Sequence, residues 1–175
     1  MIIRPETPAD FPAIRKVVTE AFEAQAEADL VDRSRTGSEY RPDMAPVAVE
    51  ADQIVGHVMI DGCWVRGEHG DREIVMLSPL AVLPSHQQHG IGSTLIKAAL
   101  DAADEAGEPL VTLEGSPSFY GKRGFVFAGD HGLSLPMPDW APHEAAQVYL
   151  LSRYDPEDMS LQGRVVYPPS FDELG

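Results

Sequence analysis

Apolar positions along the chain change period several times, and each change marks an element. Ile2 and Ile3 open a short strand that ends at Arg4. Thr7-Pro8-Ala9-Asp10 then places a hydroxyl at an N-cap, proline at the first helical position and a carboxylate in the first turn. Behind it Phe11, Ile14, Val17, Val18, Ala21 and Phe22 recur at the three-to-four spacing of one apolar helix face. Gln25 to Arg33 reads as a second, more polar helix, and Thr36 to Pro46 as loop, broken by Gly37, Pro42 and Pro46. Val47-Ala48-Val49 and Ile54 to Ile60 flank a polar turn at Asp52-Gln53, which predicts an antiparallel hairpin. Gly67 to Asp71 is a second turn. Ile74 to Leu83 is a long apolar strand interrupted by Pro79, where a bulge forms or ladder pairing stops.

Gly90 to Ala106 carries the longest helical pattern, with Ile91, Leu95, Ala98, Ala99, Ala102 and Ala106 along one side and Gly107 and Pro109 ending it. Leu110 to Leu113 is a short strand. Ser116-Pro117 opens a brief helix through Lys122, closed by Gly124, and Phe125-Val126-Phe127 and Gln147 to Ser152 are two more strands. This alternation predicts an α/β (α+β) fold with a mixed sheet, largely antiparallel at the front, with a parallel crossover around the long helix. A single domain over residues 1–175 is expected, with residues 153–175 an extension packed on the core.

Composition narrows the class. The chain has 175 residues, 43% of them hydrophobic and 23% charged, enough apolar material for one core. No stretch reaches the length of a membrane span and no signal segment is visible, so a cytoplasmic protein without a membrane partner is expected. A lone cysteine, Cys63, rules out an internal disulfide and a cysteine-based metal site; it reads as a small buried apolar residue. The net charge of −15 opposes nucleic acid and anionic membranes and favours cationic partners.

The segment from Leu80 to Ser93 joins an apolar strand to a helix start through Gln87-Gln88-His89-Gly90-Ile91-Gly92. The first amides of a helix lack intrahelical acceptors and carry partial positive charge, and two glycines let an anion approach them. No lysine follows as a P-loop requires, and Leu95 stands where a dinucleotide fingerprint needs its third glycine. On spacing alone the segment is either an anion cradle or a strand-to-helix turn without a ligand. His86 and His89 lie in this loop without a nearby acidic pair in sequence, so no metal site is expected.

Gln87-x-x-Gly90-x-Gly92 after a hydrophobic strand resembles the pyrophosphate-binding signature of the GCN5-related N-acetyltransferase (GNAT) superfamily. Tyr120-Gly121-Lys122-Arg123-Gly124-Phe125 is similar to the Tyr-x-x-x-Gly-Phe box of the same family. The likeness covers about residues 1–152. His131-Gly132-Leu133, Trp140 and Val166-Tyr167-Pro168 further resemble a YhbS-like bacterial subgroup. The resemblance implies a mostly antiparallel twisted sheet splayed between its fourth and fifth strands, with acetyl-CoA as co-substrate. The pyrophosphate would sit on the main chain of Gln87, Gln88, His89, Gly90, Ile91, Gly92 and Ser93, and the pantetheine arm along Leu80, Ala81 and Val82.

In the family's chemistry Tyr120 would be the general acid that protonates the leaving thiolate. Some members carry a glutamate inside the fourth strand as base, but Val75-Met76-Leu77-Ser78 holds no carboxylate. Glu114, at the end of the next strand, is the candidate base, the alternative being a solvated strand-end carboxylate. The implied activity is acetyl transfer to a primary amine of a small molecule or protein, with a cationic acceptor favoured by the charge and a homodimer compatible with exposed strand edges. The other reading is a non-catalytic acyl-CoA-binding regulatory domain.

Overall fold

A computed structural model describes residues 1–174, with side chains described through residue 171. Its strands are β1 (Ile2–Pro5), β2 (Pro46–Glu50), β3 (Gln53–Gly67), β4 (Gly70–Val82), β5 (Leu110–Glu114), β6 (Val126–Phe127), β7 (Leu133–Ser134), β8 (Ala146–Leu150) and β9 (Gly163–Val166). The α-helices are α1 (Phe11–Phe22), α2 (Ala26–Ser34), α3 (Ile91–Glu105) and α4 (Pro117–Gly121). The strands hydrogen-bond in the order β1-β2-β3-β4-β5-β8-β6, and β9 pairs with both β3 and β7. Parallel pairing joins β4 to β5 and β7 to β9, while β1–β2, β2–β3, β3–β9, β5–β8 and β6–β8 are antiparallel. The mixed, mostly antiparallel sheet flanked by helices is the one expected from the sequence.

The chain divides into two compact units. The first holds residues 1–61, residues 77–103 and the segment from Pro169. Within it β1 runs against β2 from Ile2 opposite Val49 to Pro5 opposite Pro46. The β2–β3 turn lies one residue earlier than the sequence suggested. Ala51 and Asp52 are its central residues, with φ of 49° and 61°, and Gln53 already pairs with Glu50. Positive φ at both central positions matches the twist of a two-residue hairpin, and a register irregularity between Ala48 and Val49 accompanies it.

Helix α1 buries Ile14, Val17 and Val18, and α2 buries Ala28, Leu30 and Val31. Helix α3 buries Ile91, Leu95, Ile96, Ala99, Leu100 and Ala103, a face rotated from the predicted one. Ala106 is exposed and Ala98 and Ala102 are half-buried. Ile96 and Leu100 offer more apolar area than the alanines, so they decide which side turns inward.

The second unit holds residues 62–76 and 104–168. Its centre is β5, parallel to β4 at Val75–Val111 and Met76–Thr112 and antiparallel to β8 along its whole length. The tail supplies an unforeseen strand: Trp64, Val65 and Arg66 of β3 pair with Val166, Val165 and Arg164 of β9. This pairing continues β3 to Gly67. The sequence pattern stops at Ile60 because Asp61-Gly62 interrupts the apolar run, and long-range pairing overrides that local signal. The irregularity at Pro79 takes the form of a cis Ser78–Pro79 bond within β4. Among the described residues no helix is long and apolar enough to cross a membrane.

Candidate functional site

In the first unit, β4 ends at Val82 and a 3-10 turn, Pro84–His86, leads into the loop before α3. Leu83 N–H donates to Val55 O at 2.8 Å, which ties the end of β4 to β3. Gln87 folds its side chain back, Nε2 donating to Val82 O at 3.1 Å, so its amide group braces the loop. Gln87, Gln88, His89 and Gly90 are exposed. The backbone N–H groups of Gln88, His89 and Gly90 donate to no backbone carbonyl among the described residues. Gly90 has φ of 82°, a conformation glycine adopts at little cost, with open space where a Cβ would stand. Its carbonyl accepts from Thr94 N–H at 3.1 Å and Thr94 Oγ1 at 2.9 Å, which fastens the first turn of α3. The result is an exposed run of main-chain donors at the positive end of a 15-residue helix, suited to a diphosphate. Leu80 and Val82 are half-buried and Ala81 is buried on the strand leading in.

The second unit carries Tyr120 and Glu114. Ser116 caps α4 by accepting from Phe119 N–H at 3.3 Å, and Tyr120 N–H donates to Ser116 O at 3.0 Å. Tyr120 O in turn accepts from Arg123 N–H at 2.9 Å and Phe125 N–H at 3.2 Å, so the box closes on the tyrosine's own backbone. The Tyr120 ring lies edge-on to Phe119 and Phe125, at centroid distances of 4.8 and 5.6 Å. A Cβ on Gly115 would stand 2.5 Å from the Tyr120 ring, so the glycine after Glu114 is what lets the ring lie against the end of β5. Burial pushes the Tyr120 phenol above its ordinary pKa, against a weaker opposing influence from Arg123. The residue is a protonated donor at neutral pH.

Glu114 is exposed at the end of β5, yet it is not merely solvated: Tyr167 OH donates to its Oε2. Burial and this carboxylate raise the Tyr167 phenol above its ordinary pKa, so it remains a donor. Tyr167 follows β9 directly. Sequence reasoning used it only as a subgroup marker, because nothing local links it to a residue 53 positions earlier. Its neighbour in the fold, Cys63, is buried as expected.

Three further carboxylates of the first unit are buried: Asp10, paired with Arg4 at 2.7 Å, Glu6 and Asp61. Glu6 accepts both Arg35 Nε at 2.8 Å and Arg35 Nη2 at 3.0 Å, takes a hydrogen bond from Tyr40 OH, and pairs with His57 Nε2 at 2.8 Å. Burial alone would raise its pKa, but these donors outweigh it and hold Glu6 at about 2. His57 is fully buried, which lowers its pKa and leaves it neutral, with Nε2 carrying the proton given to Glu6. Asp61 on β3 is only 2% exposed, and among the described residues neither of its oxygens has a hydrogen-bond partner within the distance limits of such a bond. Burial raises it to about 7. The sequence marks Asp61 only as a polar interruption after Ile60. Among the described residues no group of three or more His, Cys, Asp or Glu side chains is placed to hold a metal ion.

Comparison with known proteins places this geometry in context. A family described as an acetyltransferase (GNAT) domain matches residues 2–128. Two Escherichia coli proteins named as uncharacterized N-acetyltransferases are similar. YhbS is 31% identical over 174 residues, covering 99% of this chain and 100% of its own. YjhQ is 30% identical over 158 residues, covering 90% of this chain and 86% of its own. The crystal structure of Escherichia coli YhbS in complex with CoA superposes with a TM-score of 0.85 at 30% identity, covering 99% of this chain and 93% of that one. A GNAT family acetyltransferase from Brucella melitensis in complex with acetyl-CoA follows at 0.76 and 28% identity, covering 98% and 97%.

Proposed function

The chain belongs to the GNAT acetyltransferase family, and from that premise we propose that it transfers the acetyl group of acetyl-CoA to a primary amine by direct attack, with Tyr120 as general acid. The observation that carries the reading is the seat of Tyr120: a phenol kept protonated by burial, held by its backbone in the Tyr-Gly-Lys-Arg-Gly-Phe box. The free amides of Gln88, His89 and Gly90 fit the diphosphate of acetyl-CoA. CoA and acetyl-CoA in the YhbS and Brucella structures support the same co-substrate here. Leu80, Ala81 and Val82 offer backbone groups along which the pantetheine arm lies as an added strand.

The chemistry then proceeds in balance. A neutral amine nitrogen attacks the thioester carbonyl carbon, the C–S bond breaks, and Tyr120 gives its phenolic proton to the departing sulfur. The phenolate recovers a proton from the nitrogen of the new amide. Glu114, fixed by Tyr167, draws in the acceptor as its ammonium ion, and the net charge of −15 favours cationic acceptors over anionic ones.

Thiol release and thermal stability, followed together with acetyl-CoA and a panel of amines, test the reading. Acetyl-CoA at a hundred times its Kd stabilises the native state by about 2.7 kcal/mol, and free thiol appears with at least one amine. Stabilisation without thiol release across the panel points to an acyl-CoA-binding regulator instead. Neither effect in folded protein removes both.

A further inference from the structure

Gln147 of β8 is a polar side chain in an apolar place. It is 2% exposed, with the buried residues Ala146 and Val148 on either side, and it stands opposite Leu113 of β5 and Phe127 of β6. A buried amide costs free energy unless its polar atoms find partners, and a β-branched aliphatic residue suits such a strand position better. Here Gln147 Nε2 donates to Gly115 O at 3.0 Å, 32 positions earlier in the chain. The backbone behind it is held too, since Gln147 O accepts from the buried Thr112 Oγ1 at 3.0 Å. A fixed strand thus directs one buried donor at one carbonyl.

That carbonyl belongs to the residue between Glu114 and the cap of α4. The ladder of β5 and β8 ends with Glu114 opposite Ala146. Beyond it Gly115 N–H donates to Ala145 O at 3.0 Å, and the Gln147 side chain takes Gly115 O. Both backbone polar groups of Gly115 are therefore tied to the start of β8 after regular pairing has stopped. Gly115 is also the floor under Tyr120: a Cβ there would stand 2.5 Å from Cε2 and 2.8 Å from Cδ2 of the ring. Ser116, next in the chain, caps α4 and accepts from Tyr120 N–H. The ring and the backbone of Tyr120 thus both take their position from the Gly115–Ser116 corner, and all of these residues lie in the second unit.

We propose that Gln147 is a positioning residue for acetyl transfer: its amide fixes the Gly115 peptide and, through it, the direction of the Tyr120 phenol. This rests on the acetyl-transfer reading above and deepens it by naming the group that aims the general acid. A phenol donates usefully only when its O–H points at the leaving sulfur, and a displacement of about 1 Å costs about 100-fold in rate. Gln147 touches no reacting atom, and the proton still comes from Tyr120. Its loss therefore falls on kcat and leaves the grip on acetyl-CoA alone.

The test is a double-mutant cycle on acetyl-CoA-dependent thiol release, using whichever of spermidine, glucosamine, lysine ethyl ester and a free-N-terminal peptide turns over best. Gln147→Met keeps the unbranched shape of the side chain and removes the donor. Its kcat falls about 10- to 100-fold, while KM for acetyl-CoA and the acetyl-CoA-induced melting shift stay as in wild type. The same substitution made in Tyr120→Phe changes kcat by about twofold or less, because a residue that acts through the phenol has nothing left to aim. Gly115→Ala disturbs the floor under the ring with the Gln147 donor in place. It lowers kcat with KM kept, a readout that does not depend on a Gln147 variant folding. An unchanged kcat in folded Gln147→Met, equal proportional losses in the two backgrounds, or full turnover in folded Gly115→Ala each overturns the assignment. If no amine turns over with wild-type protein, or Tyr120→Phe is as active as wild type, the acetyl-transfer reading itself fails, a result distinct from transfer that ignores Gln147.

Discussion

The loop before α3 and the box around Tyr120 offer different parts of the chain to the tasks proposed for them. The loop is exposed and acts through its backbone, and its most conspicuous side chain, Gln87, is turned away to hold Val82 O. The box acts through a side chain, which is half-buried, flanked by Phe119 and Phe125 and seated against Gly115. On the proposed function, binding would depend on backbone conformation and tolerate side-chain change, whereas the chemistry would depend on one oxygen and tolerate neither its loss nor its displacement.

The largest expected effect separates the two regions most sharply. Tyr120→Phe lowers kcat by roughly 100- to 10,000-fold, the worth of a positioned general acid, with the acetyl-CoA-induced melting shift unchanged; steady-state kinetics beside thermal melts check it. Glu6→Gln sets the scale for loss through unfolding. It leaves Arg35 without its buried carboxylate and costs about 3–5 kcal/mol in a denaturant titration. Because the pKa of Glu6 is depressed to about 2, its stabilisation is complete above the unfolded value near ~4.3 and is lost as pH falls towards 2. Activity lost between those values with Glu6 intact is thus partly unfolding.

Gly90→Val places a β-branched residue at φ of 82° and weakens acetyl-CoA binding by about tenfold or more. The unliganded protein keeps its circular dichroism, and calorimetry reads the affinity. Tyr167→Phe removes the donor to Glu114 and raises KM for the amine by about fivefold, near 1 kcal/mol for one hydrogen bond, with kcat little changed. The smallest effect belongs to Gln87→Ala, where acetyl-CoA affinity changes by about twofold or less because a side-chain brace is lost and no donor is. A Gln87 effect as large as that of Gly90 would break the contrast between backbone and side chain.

Much of this was legible before any coordinates, for physical reasons. Periodicity set α3 to within one residue at each end and α1 to its last residue, Phe22, because their apolar faces are long enough to outweigh local noise, whereas Pro8–Asp10, read as the first helical turn, forms a 3-10 turn before α1 begins at Phe11. The loop and the box were readable because glycines at Gly90 and Gly124 answer to backbone geometry, which leaves a mark at fixed spacing. The partners of the site were not. Tyr167 reaches Glu114 only because β9 pairs with β3, a register no local pattern encodes. Asp61 looks like a turn residue in sequence and becomes a buried acid only when β3 continues through it. The net charge says nothing of either, since a sum over 41 charged residues hides the two carboxylates that burial and hydrogen bonding single out.

Calorimetric titration of folded wild-type protein and of Gly90→Val with acetyl-CoA bears most directly on the account. Saturable one-site heat in the wild type, weakened in the variant while Tyr120→Phe binds as before, is the expected result. Absence of heat in folded wild-type protein, or undiminished affinity in Gly90→Val, would contradict the assignment of the α3 amides as the acyl-CoA grip.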